Sequence, residues 1–338
     1  MCYENLDCRS LASITIPEGV TSIGGGAFSG CSSLTSITIP EGVTSIERSV
    51  FEGCSSLASI TIPESVTSIE DGAFWDCGSL TSITIPESVT SIGDSAFRGC
   101  SSLTSITIPE SVTSIEDGAF WDCGSLTSIN IPEGVTSIGG AAFAHCSNLA
   151  SIAIPEGVTS IKGSVFEGCS SLASISLPES VTSIEGFAFS HCDGLTSISL
   201  PESVTSIGIY AFWHCGGLTS ITIPKNVRSI DYGAFTSSSS LKSVTVCGNR
   251  PPTCEDKIFD DEVYNNATLY VPIGSIAAFY VATGWMNFWN ITETDTKVAV
   301  PEIDETGAPI YDLSGRRIDA ADAVRGIYLQ NGKKVYRK

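Results

Sequence analysis

The sequence predicts a mainly β repeat solenoid: a right-handed coil of 23-residue units with short parallel strands and tight 3₁₀ or helical turns. Three observations predict it. Leucines stand at Leu11, Leu34, Leu57, Leu80, Leu103, Leu126, Leu149, Leu172, Leu195, Leu218 and Leu241, and every step is 23 residues. The stretch LTSITIPESVTSIEDGAFWDCGS at Leu103 to Ser125 repeats Leu57 to Ser79, with Thr104 in place of Ala58 as the only difference. Apolar residues make up 42 % of the 338, enough for a packed core, yet no run approaches the ~18 needed to span a membrane.

Each element of the unit has a physical role, counted from its leucine as position 1. Leu, Ile and Ile at positions 1, 4 and 6 place one short strand's apolar side inward. Proline at position 7 (Pro17, Pro40 and onward to Pro224) lacks an N–H and ends the strand. Glu followed by Gly or Ser makes a turn. Val at 10 and Ile at 13 form a second inward-facing extended piece. Ala or Val at 17, Phe at 18 and Cys at 21 fill a third side, where the A-F-x-x-C spacing predicts one helical or 3₁₀ turn. One unit cannot bury these residues alone, so identical side chains must stack into ladders. At roughly 4.8 Å per unit, ten units span on the order of 50 Å.

The ends leave the period. Residues 1–10 are read as a partial repeat with a truncated or processed start, having neither the basic nor the apolar region of a signal peptide. The solenoid covers 11–246, as ten full units and the opening strand LKSVTV of an eleventh. A solenoid needs a cap, and 247–293 brings in Trp285, Phe288 and Trp289 for one. Residues 294–309, polar and carrying Pro301 and Pro309, read as a linker. The tail, 310–338, reads as strand pairs around SG and NG turns.

Charge narrows the function. Lys plus Arg number 17 against 37 Asp plus Glu, a net charge of −20. Nucleic acid and anionic membranes both demand a cationic face, so neither is an expected partner.

The candidates for chemistry are few. Nine cysteines recur at position 21 (Cys31 to Cys215), read as small buried core residues; their 23-residue spacing fits no zinc motif. Cys247 and Cys254 lie off that ladder and are candidates for a local disulfide in an exported protein. His145, His191 and His214 all fall at position 20. His191 and His214 are in adjacent units, but no third ligand has predictable spacing, so no metal is expected and the rings read as exposed loop residues. No Ser-His-Asp or Cys-His arrangement can be assigned, GGG at 24–26 lacks a phosphate-loop context, and no cofactor is expected. Glutamates at position 8, including Glu64, Glu87, Glu110 and Glu133, form a like-charged row that a divalent cation would relieve. The preferred reading of that row is a solubilising edge.

Candidate ligand-binding residues are those that vary or repeat on the outside. Thr61, Thr84 and Thr107 belong to a monotonous hydroxyl face on the first strand. Positions 14–16 and 19–20 carry the variety, and hold Trp75, Trp121, Trp213, His191, His214, Tyr210, Phe187, Ile209, Tyr232, Arg48 and Arg98. Aromatic side chains on loops suit proteins or sugar rings; packing onto neighbouring units is the competing reading.

With its I-P, V-x-x-I, A-F and C-x-x-L recurring in register over 11–246, the unit resembles the BspA-like (Treponema pallidum type) leucine-rich repeat. The stretch ATLYVPIGSIAAFYVATGWMNFWNI (267–291) resembles segments that close such arrays in gut Bacteroidetes proteins. IYDLSGRRIDAADAVRGIYLQNGKKVYRK (310–338) is similar to C-terminal tails of Bacteroidetes secreted proteins. The resemblance implies an extracellular or cell-surface location, extracellular proteins or glycans as partners, and no catalysis. The expected function is therefore that of a monomeric, adhesin-like interaction module, with a structural spacer as the alternative. A flat Ser/Thr face would also suit a regular lattice such as ice or a crystalline polysaccharide.

Overall fold

The computed structural model describes residues 8–294 and the backbone of 310–311, 317–318, 326–330 and 333–337. Of the expected linker only Thr294 is among them, and residues 1–7 of the expected N-terminal partial repeat lie outside the described set. The chain divides into two units, Met1–Glu293 and Thr294–Lys338.

The first unit is a coil with three faces per turn. On the first face, Ser13–Thr15, Ser36–Thr38, Ser59–Thr61, Ser82–Thr84 and Ser105–Thr107 pair in parallel, each residue beside its own copy one unit on. Single bridges at Thr107–Asn130 and Ser128–Ser151 carry the ladder on to Ser151–Ala153 and Ser174–Ser176. The strand's Ile is buried and its flanking Ser and Thr are exposed. Proline ends each strand, and its carbonyl accepts from the Val N–H three residues on, as from Val112 to Pro109 at 3.1 Å. Where position 9 is serine, its hydroxyl ties one unit to the previous one: Ser65 Oγ donates to the Val43 carbonyl at 2.6 Å. Two-residue strands such as Ser68–Ile69 and Ser91–Ile92 form the parallel second face.

On the third face the expected alternatives, a helical or a 3₁₀ turn, resolve into a string of i→i+3 turns, as from Arg98 N–H to the Ser95 carbonyl at 3.1 Å, and no continuous helix forms. Alternate N–H groups turn outward along the coil axis to the next unit. Ser95 donates to the Asp117 carbonyl at 2.8 Å, Phe97 to Ala119 at 2.8 Å and Gly99 to Trp121 at 2.7 Å. This alternation needs left-handed backbone at positions 16 and 20, and φ there is +55° at Ser95 and +72° at Gly99. The face is thus a third hydrogen-bonded ladder, so every side of the coil is tied to its neighbour.

Inside it, phenylalanines at position 18 stack without interruption from Phe28 to Phe259. Successive ring centroids lie 5.1–5.9 Å apart, with ring planes within 20° of parallel. The cysteines beside them are buried and do more than fill space. From Cys54 to Cys215 each Sγ donates to the phenylalanine carbonyl of the preceding unit, for example Cys123 to Phe97 at 3.2 Å and Cys146 to Phe120 at 3.2 Å. Ser238 takes the slot in the tenth unit and donates to Phe212 at 2.8 Å. Burial pushes the thiols of Cys169 and Cys215 up to about 12, which keeps them protonated as donors and poor as nucleophiles.

Beyond Val246 the coil continues past the sequence period. Thr253–Cys254 joins the second face beside Ser229–Ile230, and Thr268–Pro272 joins the first face beside Ser243–Val246. Ser243 pairs with Thr268, 25 residues on, so an eleventh turn is hidden by a two-residue insertion. This turn carries Cys247 past the first face and Cys254 on the second, and Cys254 is a free thiol donating to the Thr283 carbonyl at 3.0 Å. The Cys247–Cys254 disulfide is accordingly not formed. Trp285 closes the end: it is fully buried, its Nε1 donates to the Pro252 carbonyl at 2.9 Å, and it packs edge-on to Phe279 and Phe259. Trp289, by contrast, is 81 % exposed.

In the second unit, Ile310–Tyr311 pairs antiparallel with Arg317–Ile318, and Gly326–Gln330 with Lys333–Arg337, the two hairpins expected from the SG and NG turns. A further pairing of Ile310–Tyr311 with Gly326–Gln330 joins them into one four-stranded sheet.

Candidate functional site

The variable residues gather on the third face, projecting from the turn string over the phenylalanine ladder. The position-20 slot is left-handed in every unit, which explains its vocabulary of Gly, Asp, His and Ser: short polar residues tolerate that region best. His145, His191 and His214 have φ of +57° to +59°. Position 16 is left-handed too, and most units place Gly, Ser or Ala there. Two units place bulky aromatics instead, Phe187 at φ +59° and Tyr210 at φ +53°. Such residues cost roughly 1–2 kcal/mol in this conformation, a strain that the rest of the coil must sustain.

Two aromatic groups result. In units three to five, Arg98 lies between Trp75 and Trp121, its guanidinium carbon 5.1 Å and 4.1 Å from their ring centroids. All three are half-buried. Cation–π contact holds the guanidinium against the indole faces, so one side of each ring is already occupied. Beside them runs an acidic rail: Asp94 N–H donates to Asp71 Oδ1 and Asp117 N–H to Asp94 Oδ1, both at 3.1 Å. Partial burial, opposed by its hydrogen bond and reinforced by Asp71, Asp117 and Glu116, pushes the Asp94 carboxyl above its ordinary range.

The second group, in units eight to ten, is larger. Tyr210 stands 5.2 Å from Phe187, 5.8 Å from Trp213 and 5.5 Å, edge-on, from Tyr232. His191 packs edge-on against Trp213 at 4.7 Å and stacks on His214 at 4.6 Å. Tyr232 and Ile209 keep 38 % and 42 % of their surface exposed. The rings thus pack on neighbouring units, as the competing reading expected, and part of the group still faces solvent.

The remaining expected residues lie elsewhere. Thr61, Thr84 and Thr107 are exposed in register on the first face, away from the aromatics. Glu64, Glu87, Glu110 and Glu133 are exposed at the turn after the first strand. Further along that row Lys225 replaces a glutamate and pairs with Glu202 at 3.8 Å. Sequence reasoning missed Asp193. It lies two residues after His191, and its Oδ1 is 3.2 Å from His214 Nδ1 and accepts from the Gly216 N–H at 3.3 Å. The signal was present, since Asp193 is the one aspartate at position 22 of the array.

Ser190 is also informative. It is fully buried at position 19, and its hydroxyl has no partner among the described residues. Ala144 fills the same slot in unit six. Ser190→Ala is expected to stabilise the protein by up to about 1 kcal/mol, because an unsatisfied buried hydroxyl is removed; a urea titration showing destabilisation would mean that the hydroxyl has a partner in solution.

Comparison with known proteins agrees with this architecture. The profile of the BspA type Leucine rich repeat region matches residues 2–123, 67–176 and 159–270, in six copies. Among solved structures, a leucine-rich repeat protein from Bacteroides ovatus is 27 % identical, with 85 % of each chain covered and a TM-score of 0.54. A leucine rich cell surface protein from Faecalibacterium prausnitzii is 31 % identical, covering 85 % of this chain and 81 % of its own, with a TM-score of 0.50. No curated protein matches. No helix among the described residues is long and apolar enough to cross a membrane.

Proposed function

Because the chain belongs to the BspA-type leucine-rich-repeat family, we propose that it is a non-catalytic interaction module of the cell surface or its surroundings, binding proteins or glycans through the aromatic group of units eight to ten. The observation that carries the reading is Phe187 and Tyr210. Both hold left-handed backbone in a slot where most units place Gly, Ser or Ala, and both turn their rings to the surface group. Strain of that kind is removed by a single change to glycine, so its presence in two successive units favours a use for the rings. Tyr and Trp offer large rigid faces with a polar handle, suited to stacking on sugar rings or anchoring a protein contact. The surface location is supported by likeness to the Faecalibacterium cell surface protein.

The test is a screen of the full chain against matrix proteins and glycans, with Tyr210→Ala/Trp213→Ala and Thr61→Ala/Thr84→Ala/Thr107→Ala compared. We expect a ligand whose affinity falls about 30-fold or more in the aromatic variant, as for a hot spot of about 2 kcal/mol, and stays unchanged in the threonine variant. The reverse pattern would move the site to the hydroxyl face. A second reading, a spacer without ligand, draws on the near-identity of units three and five; it is favoured if no ligand is found and deletion of residues 103–125 leaves a folded coil.

A further inference from the structure

We propose that His191, Asp193 and His214 form a binding site for one zinc-class divalent transition-metal ion on the third face. One ligand atom from each lies within 4.8 Å of the other two, and among the described residues no other three His, Cys, Asp or Glu side chains converge in this way. The site goes beyond the interaction reading and stands without it.

The repeat itself builds the pair of imidazoles. Position 20 has the same left-handed backbone in both units, φ +57° at His191 and at His214, so the two Cα–Cβ bonds leave the coil in the same direction one strand spacing apart. Their rings are 4.6 Å apart. Trp213 stands edge-on against His191 at 4.7 Å. Asp193 supplies the third group. Its Oδ1 is 3.2 Å from His214 Nδ1. With metal–ligand bonds of roughly 2.0–2.1 Å, ligand atoms at the corners of a tetrahedron lie roughly 3.3 Å apart, so this contact already has the length of one edge. The Gly216 N–H, donating to Asp193 Oδ1 at 3.3 Å, holds the carboxylate from behind, as outer-shell donors do for metal-ligating groups. Modest side-chain rotation of His191 completes three corners. The fourth opens to solvent, since Asp193 and His214 are exposed.

Two imidazoles and one carboxylate select zinc, nickel or copper over calcium and magnesium, whose preferred donors are oxygen alone. His145 is an internal control. It occupies the same slot in unit six beside Trp121 at 6.3 Å, but unit seven has Gly168 at that slot and no second imidazole. The cysteine ladder does not compete, because its thiols are buried and held protonated.

The experiment is calorimetric titration of tag-free, chelator-treated full chain with Zn²⁺, together with the visible spectrum of its Co²⁺ form. The expected result is one saturable equivalent, weakened more than about tenfold in His214→Ala and in Asp193→Asn, and unchanged in His145→Ala. The cobalt spectrum should show ligand-field bands without thiolate charge transfer. Melting temperatures confirm that each variant is folded. The proposal is overturned by absence of saturable binding, by binding unaltered in His191→Ala/His214→Ala, by a thiolate charge-transfer band, or by equal affinity for Ca²⁺.

Discussion

Phe120→Ala should destabilise the solenoid by about 3–5 kcal/mol. Phe120 is fully buried and stacked between Phe97 and Phe143, 5.5 Å from each. The gap cannot close easily, because the surrounding backbone is fixed on both sides. The Phe120 N–H donates to the Ala142 carbonyl at 2.8 Å, and the Phe120 carbonyl accepts from Cys146 Sγ at 3.2 Å. Each unit contacts only its neighbours, so a mid-array cavity also weakens coupling between the two halves. Equilibrium urea unfolding should show a lower midpoint and a broader or two-step transition. Phe120→Leu, which keeps most of the volume, should recover most of the loss. A cost below about 1 kcal/mol would mean that the ladder relaxes around the hole and is not the rigid spine of the coil.

Trp285→Ala should have an effect of similar size but at one end, also about 3–5 kcal/mol. The indole covers Phe259, the last ring of the ladder, at 6.3 Å and packs against Phe279 at 5.7 Å. Its removal also takes the Nε1 donor at 2.9 Å from the Pro252 carbonyl, which keeps only the longer contact from Cys254 Sγ at 3.6 Å. In a linear array the lesion should stay local. Hydrogen exchange is expected to rise across the cap and eleventh turn, with units three to five unchanged. Trp285→Phe separates the contributions: it restores most apolar contact and removes only the indole hydrogen bond, a cost of about 1 kcal/mol. Uniform loss of protection along the whole coil would instead show that the cap nucleates the entire fold.

The coil was legible because the code is redundant. The inward residues at positions 1, 4, 6, 10, 13, 17, 18 and 21 are buried in unit after unit, and proline marks the strand end each time. On the third face A-F-x-x-C allows a helical or a 3₁₀ turn, and the structure uses the i→i+3 bonds of the latter. What decides against a helix is the next unit: its carbonyls accept the N–H groups that a helix would bond internally. The composition of position 20 held the clue, because Gly, Asp and His share tolerance for left-handed backbone. The cap boundary was placed at Val246 because a two-residue insertion breaks the period, although Phe259 still continues the stack on Phe235 at 5.1 Å. The aromatic candidates were found as exceptions to a monotonous pattern, but their grouping was not. Nothing in linear order says that Arg98 lies between two indoles, or that Asp193 reaches His214.

By itself, the sequence determined the architecture of this protein: a 23-residue period whose apolar positions can be buried only against copies of themselves. It also determined that variety is concentrated in the outer turns. Tertiary structure alone decided how those turns are built and which exceptions meet. The physical reason is that burial is periodic and can be read along one chain, whereas hydrogen bonds and side-chain contacts between units depend on backbone handedness and on a neighbour one coil away.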